Sequence, residues 1–148
     1  MTMKRAIASL TLALAAAAGW AQTSPVGVWK TIDDDGKTEK SLVRISETGG
    51  QLSGRIETLF DSSKKDSVCE KCSDDRKDQR LVGLTILRNV SKQADDASLW
   101  AGGEILDPNN GKVYKVRLRP IDGGAKLEVR GYIGMPMLGR TQTWVRVE

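Results

Sequence analysis

The chain contains no histidine, only two cysteines and a single phenylalanine among its 148 residues. Without histidine, neither a Ser-His-Asp nor a Cys-His catalytic site can be built, and histidine-ligated zinc is excluded as well. Two cysteines are too few for a zinc ribbon, which needs a second cysteine pair or histidine ligands. The groups that remain for chemistry are carboxylates, lysines, the two cysteines and four methionines, and nothing in the sequence indicates a cofactor.

A large excess of charge of one sign is also absent. The net charge is +4, and two of the basic residues, Lys4 and Arg5, precede the first apolar segment. This balance is not typical of a nucleic-acid-binding protein, whose basic surface must neutralise several phosphates. We therefore expect no nucleic-acid partner.

The long hydrophobic run of the sequence lies near its start. After the two basic residues, an apolar segment extends from Ala6 to Ala18, and Gly19-Trp20-Ala21 places small residues where a signal peptidase reads them. This layout is typical of a secretory signal, and the run is too short for a permanent membrane anchor. We expect residues 1–21 to be a signal peptide and residues 22–148 to form one domain, periplasmic or secreted, that is not an integral membrane protein.

Segments of alternating apolar and polar residues recur from Val26 to the end of the chain. Their period of two is typical of strands and not of helices. Within residues 112–119, the alternation predicts that Tyr114, Val116 and Leu118 face inward. About eight such segments predict an all-β, antiparallel, up-and-down barrel, since closure removes exposed strand edges. A barrel of this size has room for packed side chains or for one small ligand.

The stretch Asp61–Arg80 interrupts this pattern because it is charged and has no apolar period. It predicts a long loop, and long loops are often functional. Cys69 and Cys72 lie within it. One interpretation is a disulfide that clips the loop, since exported cysteine pairs are usually structural. Redox chemistry is the other, although the flanks lack the aromatic and proline residues of a thioredoxin-like site.

An acidic turn, Asp33-Asp34-Asp35-Gly36, invites comparison with a calcium-binding loop. When Gly36 is aligned with the glycine of an EF-hand, the position that needs a bidentate glutamate holds Leu42. We interpret this turn, like Asp107–Gly111, as a hairpin connection without a metal.

The connection Gly134–Gly139 is apolar, although a connection between two strands should be polar. Met135, Met137 and Leu138, with Tyr132 nearby, are candidates for an apolar lip at the barrel mouth that contacts a ligand or partner. Two alternatives are a cap folded inward on the core and a Cu(I) site made by the two thioethers. Two methionines alone make a weak metal site, and we predict none.

Ordered motifs along the chain carry a resemblance to a known family. They include Gly27-x-Trp29, Cys69-x-x-Cys72, Asp107-Pro108-x-x-Gly111, Arg130-Gly131, Gly139-Arg140 and Trp144-x-Arg146. These motifs resemble the bacterial domain of unknown function 2147 family, whose members are exported and have no assigned activity. The Gly-x-Trp start with a late arginine is also similar to lipocalins and other calycins, β-barrels that hold apolar ligands. A tryptophan on the first strand and an arginine on the last can stack at the closed end of such a barrel.

The strand pattern, the apolar loop and the lack of catalytic groups favour a non-catalytic binder. Its expected ligand is a small apolar or amphipathic molecule of the cell envelope. One alternative is a protein–protein interaction module of the envelope with a solid barrel. A second alternative is a thiol oxidoreductase that uses Cys69 and Cys72.

The proposed signal peptide gives a direct prediction. Protein recovered from the periplasm or medium of an exporting bacterium should begin at Gln22, because the peptidase should cleave after Ala21. Intact-mass measurement under denaturing conditions checks this, and a gain of two hydrogens on reduction reports the Cys69–Cys72 disulfide. A mass that still includes the first 21 residues would contradict the export prediction.

Overall fold

Eight antiparallel strands close into one barrel in the computed structural model, which describes residues 23–148. The strands are β1 (Gly27–Ile32), β2 (Glu39–Thr48), β3 (Gln51–Leu59), β4 (Thr85–Lys92), β5 (Trp100–Asp107), β6 (Lys112–Ile121), β7 (Lys126–Tyr132) and β8 (Arg140–Arg146). Each strand pairs with the next, and β8 pairs with β1. The predicted up-and-down barrel is confirmed, whereas the predicted signal peptide lies outside the described residues.

The barrel interior is built from alternate residues of each strand. In β6, Val116 and Leu118 are buried and Tyr114 is half-buried, whereas Lys115 and Arg117 are exposed. The inward face predicted for this strand is therefore confirmed. The filled part of the interior consists of large apolar side chains that include Val43, Ile45, Leu52, Leu87, Val90, Val116, Leu118 and Leu127.

The two ends of the barrel differ in their connections. One end carries the chain termini of the described segment and the short β2–β3, β4–β5 and β6–β7 connections. The other end carries the β1–β2, β3–β4, β5–β6 and β7–β8 connections, of which β3–β4 is by far the longest. We call the first the closed end and the second the mouth.

The closed end is sealed by Trp29 of β1 and Arg146 of β8. The guanidinium of Arg146 lies 4.2 Å from the centre of the Trp29 ring, and the Trp29 indole donates to the carbonyl of Pro25 at 2.7 Å. The same guanidinium donates to four backbone carbonyls, those of Ser24, Val26, Gly124 and Glu148. The predicted stack of tryptophan and arginine is confirmed, and the arginine also ties the N-terminal segment to the barrel.

The charged loop between β3 and β4 is an ordered structure. Ser62–Lys64 form a short 3-10 turn, and Val68 and Arg80 form an isolated β-bridge. Cys69 and Cys72 are joined by a disulfide with their Cα atoms 5.4 Å apart, and both are buried. The disulfide interpretation of the cysteine pair thus agrees with the structure. No helix within residues 23–148 is long and apolar enough to cross a membrane.

The seal at the closed end generates a prediction about stability. Replacing Arg146 by alanine should lower the free energy of unfolding by about 2–4 kcal/mol, because a cation–π contact and several charge-assisted hydrogen bonds are lost. Urea denaturation measures this change. The stability of Arg146→Lys should lie between those of the parent and the alanine variant, since one ammonium cannot span the four carbonyls that the guanidinium contacts.

The matched control is Arg55→Ala, because Arg55 is exposed on β3. Its effect should stay within about 0.5 kcal/mol. Equal effects of the Arg55 and Arg146 substitutions would show that the seal does not stabilise the fold.

Candidate functional site

A cavity of about 500 Å³ occupies the mouth half of the barrel. Its volume lies within the range of small-molecule sites, about 300–1,000 Å³. The wall is mainly apolar and comes from all eight strands and from the β1–β2, β3–β4 and β5–β6 connections. Its apolar members include Ile56, Leu59, Leu81, Ile86, Ile105, Val129 and Trp144. The interior of the barrel is thus filled at one end and hollow at the other.

Two hydroxyl groups form a polar spot on the wall of the cavity. The side-chain oxygens of Thr31 and Ser41 lie 2.8 Å apart and hydrogen-bond to each other, and both residues are buried. Each hydroxyl keeps further capacity to donate or accept. The pair therefore needs no ligand to be satisfied, yet it can bind a polar group that enters the cavity.

A chain of hydrogen bonds runs along β8 from the cavity wall to the mouth. The Trp144 indole donates to Gln142 Oε1 at 3.0 Å, and Gln142 Nε2 donates to Asp34 Oδ1 at 2.7 Å. Asp34 Oδ2 in turn accepts from Arg140 Nη1 at 2.7 Å. Because residues two apart on a strand share a face, Arg140, Gln142 and Trp144 form one polar strip on an otherwise apolar wall.

Arg140 fastens two connections of the mouth to each other. Its Nη2 donates to Asp107 Oδ2 at 2.8 Å, and its guanidinium lies 5.7 Å from the centre of the Tyr114 ring. Burial opposes the charge of this side chain, but the hydrogen bond to Asp107 and the charges of Asp34 and Asp107 outweigh it and raise the pKa of Arg140. The arginine is therefore a permanent cation that straps the β1–β2 turn to the β5–β6 turn.

The remaining rim of the cavity carries charges of both signs. Lys40 and Lys64 are its further cations, and Asp33, Glu39 and Asp61 its further anions. The Asp33 carboxylate lies 3.7 Å from Lys40 Nζ. Hydrogen bonds from the Ser63 hydroxyl and backbone lower the pKa of Asp61. A polar ligand group at this rim would meet fixed charges of both signs.

The acidic β1–β2 turn is a hairpin connection, as predicted. One carboxylate oxygen of Asp35 accepts from the backbone N–H groups of Lys37 and Thr38, and the other accepts from the Thr38 hydroxyl. These bonds, with that of the hydroxyl the largest, lower the pKa of Asp35 to about 2. Within residues 23–148, no group of three or more Asp, Glu, Cys or His side chains is arranged to hold a metal ion.

Arg76 anchors the β3–β4 loop, and the sequence pattern did not single it out. The residue is only 2% exposed. It pairs with Asp74, lies 3.6 Å from Glu104 of β5 and donates to the Thr85 carbonyl. The hydrogen bond from Arg76 lowers the pKa of Asp74 to about 2. A buried arginine in a charged loop has no local signal, because its burial depends on strands distant in sequence.

The four predicted ligand-binding residues lie outside the main cavity. Tyr132 and Leu138 line a second, more open cavity of about 270 Å³, whereas Met135 and Met137 are exposed beside it. The second cavity shares Tyr114, Gly131 and Arg140 with the first. The alternative that this loop folds inward as a cap is wrong, because the loop projects outward. The ligand-contacting role of the four residues stays a prediction.

The residues that carried the family resemblance separate into three places. Asp107, Gly131, Arg140 and Trp144 line the main cavity, and Gly27, Trp29 and Arg146 meet at the closed end. Gly111 and Arg130 hold connections at the mouth. A Cβ atom at Gly111, where φ is 73°, would collide with the carbonyl of Lys71, so this glycine lets the disulfide loop approach the β5–β6 turn.

Gln142 and Asp34 are site residues that the sequence reading missed. The signal for Gln142 was present, since counting back by two from the core-facing Trp144 places Gln142 and Arg140 on the inward face. Asp34 has no such signal, because its partner Gln142 lies 108 positions away in the sequence.

The sequence matches a family of bacterial proteins over residues 27–146, described as "Uncharacterized protein conserved in bacteria (DUF2147)". No curated protein matches the sequence. Among solved structures, the fold is similar to that of protein HP1028 from the human pathogen Helicobacter pylori, which belongs to the lipocalin family. The TM-score is 0.72 with 22% sequence identity, and the match covers 85% of this chain and 84% of that chain. The likeness establishes a lipocalin-like barrel fold.

The Asp74–Arg76 pair predicts how stability changes in acid. Because the pKa of Asp74 falls from 3.8 to about 2 on folding, its contribution is complete above about pH 4 and is lost as the pH falls through about 2. Asp74→Asn should therefore be less stable than the parent at neutral pH and should approach it in acid. Thermal unfolding across this pH range measures the effect, with the exposed Glu47→Gln as the control. If the stability difference between Asp74→Asn and the parent does not become smaller in acid, the Asp74–Arg76 pair is not its cause.

Proposed function

Since this chain belongs to the bacterial family DUF2147, for which no activity is assigned, we propose its function from the cavity itself. The protein binds one small amphipathic molecule, with the apolar part inside the barrel and the polar part at the mouth. The observation that carries this proposal is the distribution of side chains around the cavity, which is apolar in its depth and charged at its rim.

The depth of the cavity favours an apolar ligand group. Ile56, Ile86 and Val129 present only hydrocarbon to it, and transfer of apolar surface from water into such a site is favourable. Every polar side-chain atom that is fully buried in the described segment has a hydrogen-bond partner. Among the described residues, the cavity therefore contains no unsatisfied buried side-chain group that would select a strongly polar ligand.

The rim favours a polar group on the same ligand. Lys40 and Lys64 border the mouth together with the strapped Arg140, and the Thr31 and Ser41 hydroxyls lie on the wall. A small number of placed polar groups in an apolar site fixes the orientation of a ligand. Similarity to a lipocalin-family barrel adds support, because barrels of this size can hold one small ligand.

We place this activity in the periplasm or outside the cell, as the N-terminal segment predicts. An envelope lipid or a related amphiphile is then the class of ligand available to the site. The protein acts as a carrier or sensor of that molecule and not as an enzyme.

Two observations favour this function over its alternatives. A solid interaction module would not contain a cavity of about 500 Å³. A thiol oxidoreductase needs an accessible cysteine, whereas Cys69 and Cys72 are both buried.

A substitution that fills the cavity tests the proposal. A Cβ atom at Gly131 would contact Tyr114 Cβ at 3.5 Å and Ile105 Cγ2 at 3.7 Å, which is ordinary packing distance. Gly131→Leu should therefore fold and place its side chain in the cavity. The parent should bind a fluorescent fatty acid with a micromolar Kd. The variant should bind it about tenfold or more weakly, because the added side chain occupies volume that the ligand needs and overpacking has a free-energy cost of that size.

Thr143→Leu is the matched control, because it adds the same side chain at an exposed position of the adjacent strand. It should leave the Kd unchanged. Equal weakening by both variants, or a parent that fails to bind the probe at micromolar concentration, would overturn the proposed site.

A further inference from the structure

The β7–β8 connection exposes an unusual group of hydrophobic side chains. The described part of the chain exposes eight large hydrophobic residues, and four of them fall in this connection. They are Ile133, Met135, Met137 and Leu138, with exposed fractions of 62%, 55%, 74% and 73%. We call these four residues the apolar tip. Scattered exposed hydrophobic residues need no explanation, but a contiguous group marks an interaction site.

The apolar tip is held in place by the strands beneath it. Arg130 of β7 donates from Nε to the carbonyl of Pro136 at 2.7 Å and from Nη1 to the hydroxyl of Thr141 at 2.7 Å. Pro136–Leu138 form a 3-10 turn in which the Leu138 N–H bonds to the Met135 carbonyl. A Cβ atom at Gly139 would collide with the Gly131 carbonyl, so the connection packs closely on β7. The tip therefore projects outward as a built feature.

Cations surround the base of the apolar tip. Lys115 and Arg117 are exposed on the outer face of β6, opposite Tyr132 and Arg130 of β7. The Arg117 guanidinium lies 5.9 Å from the centre of the Tyr132 ring. We call Lys115, Arg117 and Arg130 the basic collar, and within residues 23–148 none of the three forms a salt bridge.

Two carboxylates, those of Glu104 and Glu128, share this face with the basic collar. Glu104 lies opposite Lys115 on β5 but directs its carboxylate to Arg76, at 3.6 Å. Glu128 lies opposite Arg119, whose guanidinium pairs with Asp96, and it is one pleat farther from the mouth than Arg130. The collar therefore presents net positive charge next to the tip.

We propose that the apolar tip and basic collar dock the barrel on an anionic phospholipid surface. Hydrophobic side chains beside cations match the boundary between acyl chains and acidic headgroups. A single short connection is small against the roughly 800 Å² that each partner buries in a stable protein interface, which favours a membrane over a protein partner.

Docking in this way brings the mouth of the barrel to the lipid surface. The tip residues Ile133 and Leu138 line the second cavity, which shares Tyr114, Gly131 and Arg140 with the main cavity. An amphiphile leaving the bilayer at the tip would pass these shared residues. This consequence rests on the proposed function, whereas membrane docking itself does not need an occupied cavity.

Vesicle sedimentation tests the docking directly. The parent should sediment with vesicles of phosphatidylcholine and phosphatidylglycerol and should bind pure phosphatidylcholine far more weakly. The double substitution Met137→Ser and Leu138→Ser should weaken vesicle binding at least about tenfold. It removes two apolar side chains that would otherwise move from water into the membrane on docking. The double substitution Lys115→Glu and Arg117→Glu should weaken vesicle binding and remove most of the dependence of that binding on salt concentration.

Two controls separate this proposal from the proposed function. Val147→Ser changes an exposed apolar residue at the closed end and should bind vesicles as the parent does. Gly131→Leu should lose the fatty acid probe but keep vesicle binding, so the two proposals fail independently. Docking is overturned by a parent that binds neither kind of vesicle, by a tip variant that binds as the parent does, or by equal binding to neutral and anionic vesicles.

Discussion

The seam between β1 and β8 is the constraint on which the rest of this structure depends. Only two ladder pairs join these strands, Trp29 with Arg146 and Lys30 with Val145, and backbone bonds from Val28 to residues 147 and 148 extend the seam. Without it, the eight strands would be an open sheet with two exposed edges. The stack of Arg146 on Trp29 lies at this seam and fills the closed end of the barrel that the strand pairing completes.

Closure at one end determines where the empty volume lies. Large side chains fill the closed half, whereas the wall of the mouth half includes the small residues Thr31, Ser41 and Gly131 beside its larger apolar members. Four connections at the mouth border the cavity or its neighbour, and Arg140 fastens two of them through Asp34 and Asp107. The apolar tip stands beside this strap. Binding and docking are thus features of the same end of one barrel.

The strand pattern was predictable because alternation is a local property of the sequence. The inward face of β6 and the stack at the closed end follow from the order and spacing of residues, and the disulfide was expected from the predicted export of the chain. Whether the barrel is hollow depends on the sum of side-chain volumes from eight strands, which no short pattern records. The burial of Arg76 and the bond from Gln142 to Asp34 likewise depend on contacts across 28 and 108 positions of sequence separation. The outward direction of the apolar tip depends on Arg130, whose role the sequence did not reveal.

The ligand proposed for the mouth half of the barrel is one small amphiphile. Native mass spectrometry of the protein, purified gently from the cells that make it, tests for this ligand. We expect a one-to-one non-covalent adduct that dissociates on collisional activation and is absent from Gly131→Leu. A parent protein that carries no adduct, or an adduct retained by the cavity-filling variant, would contradict this proposal.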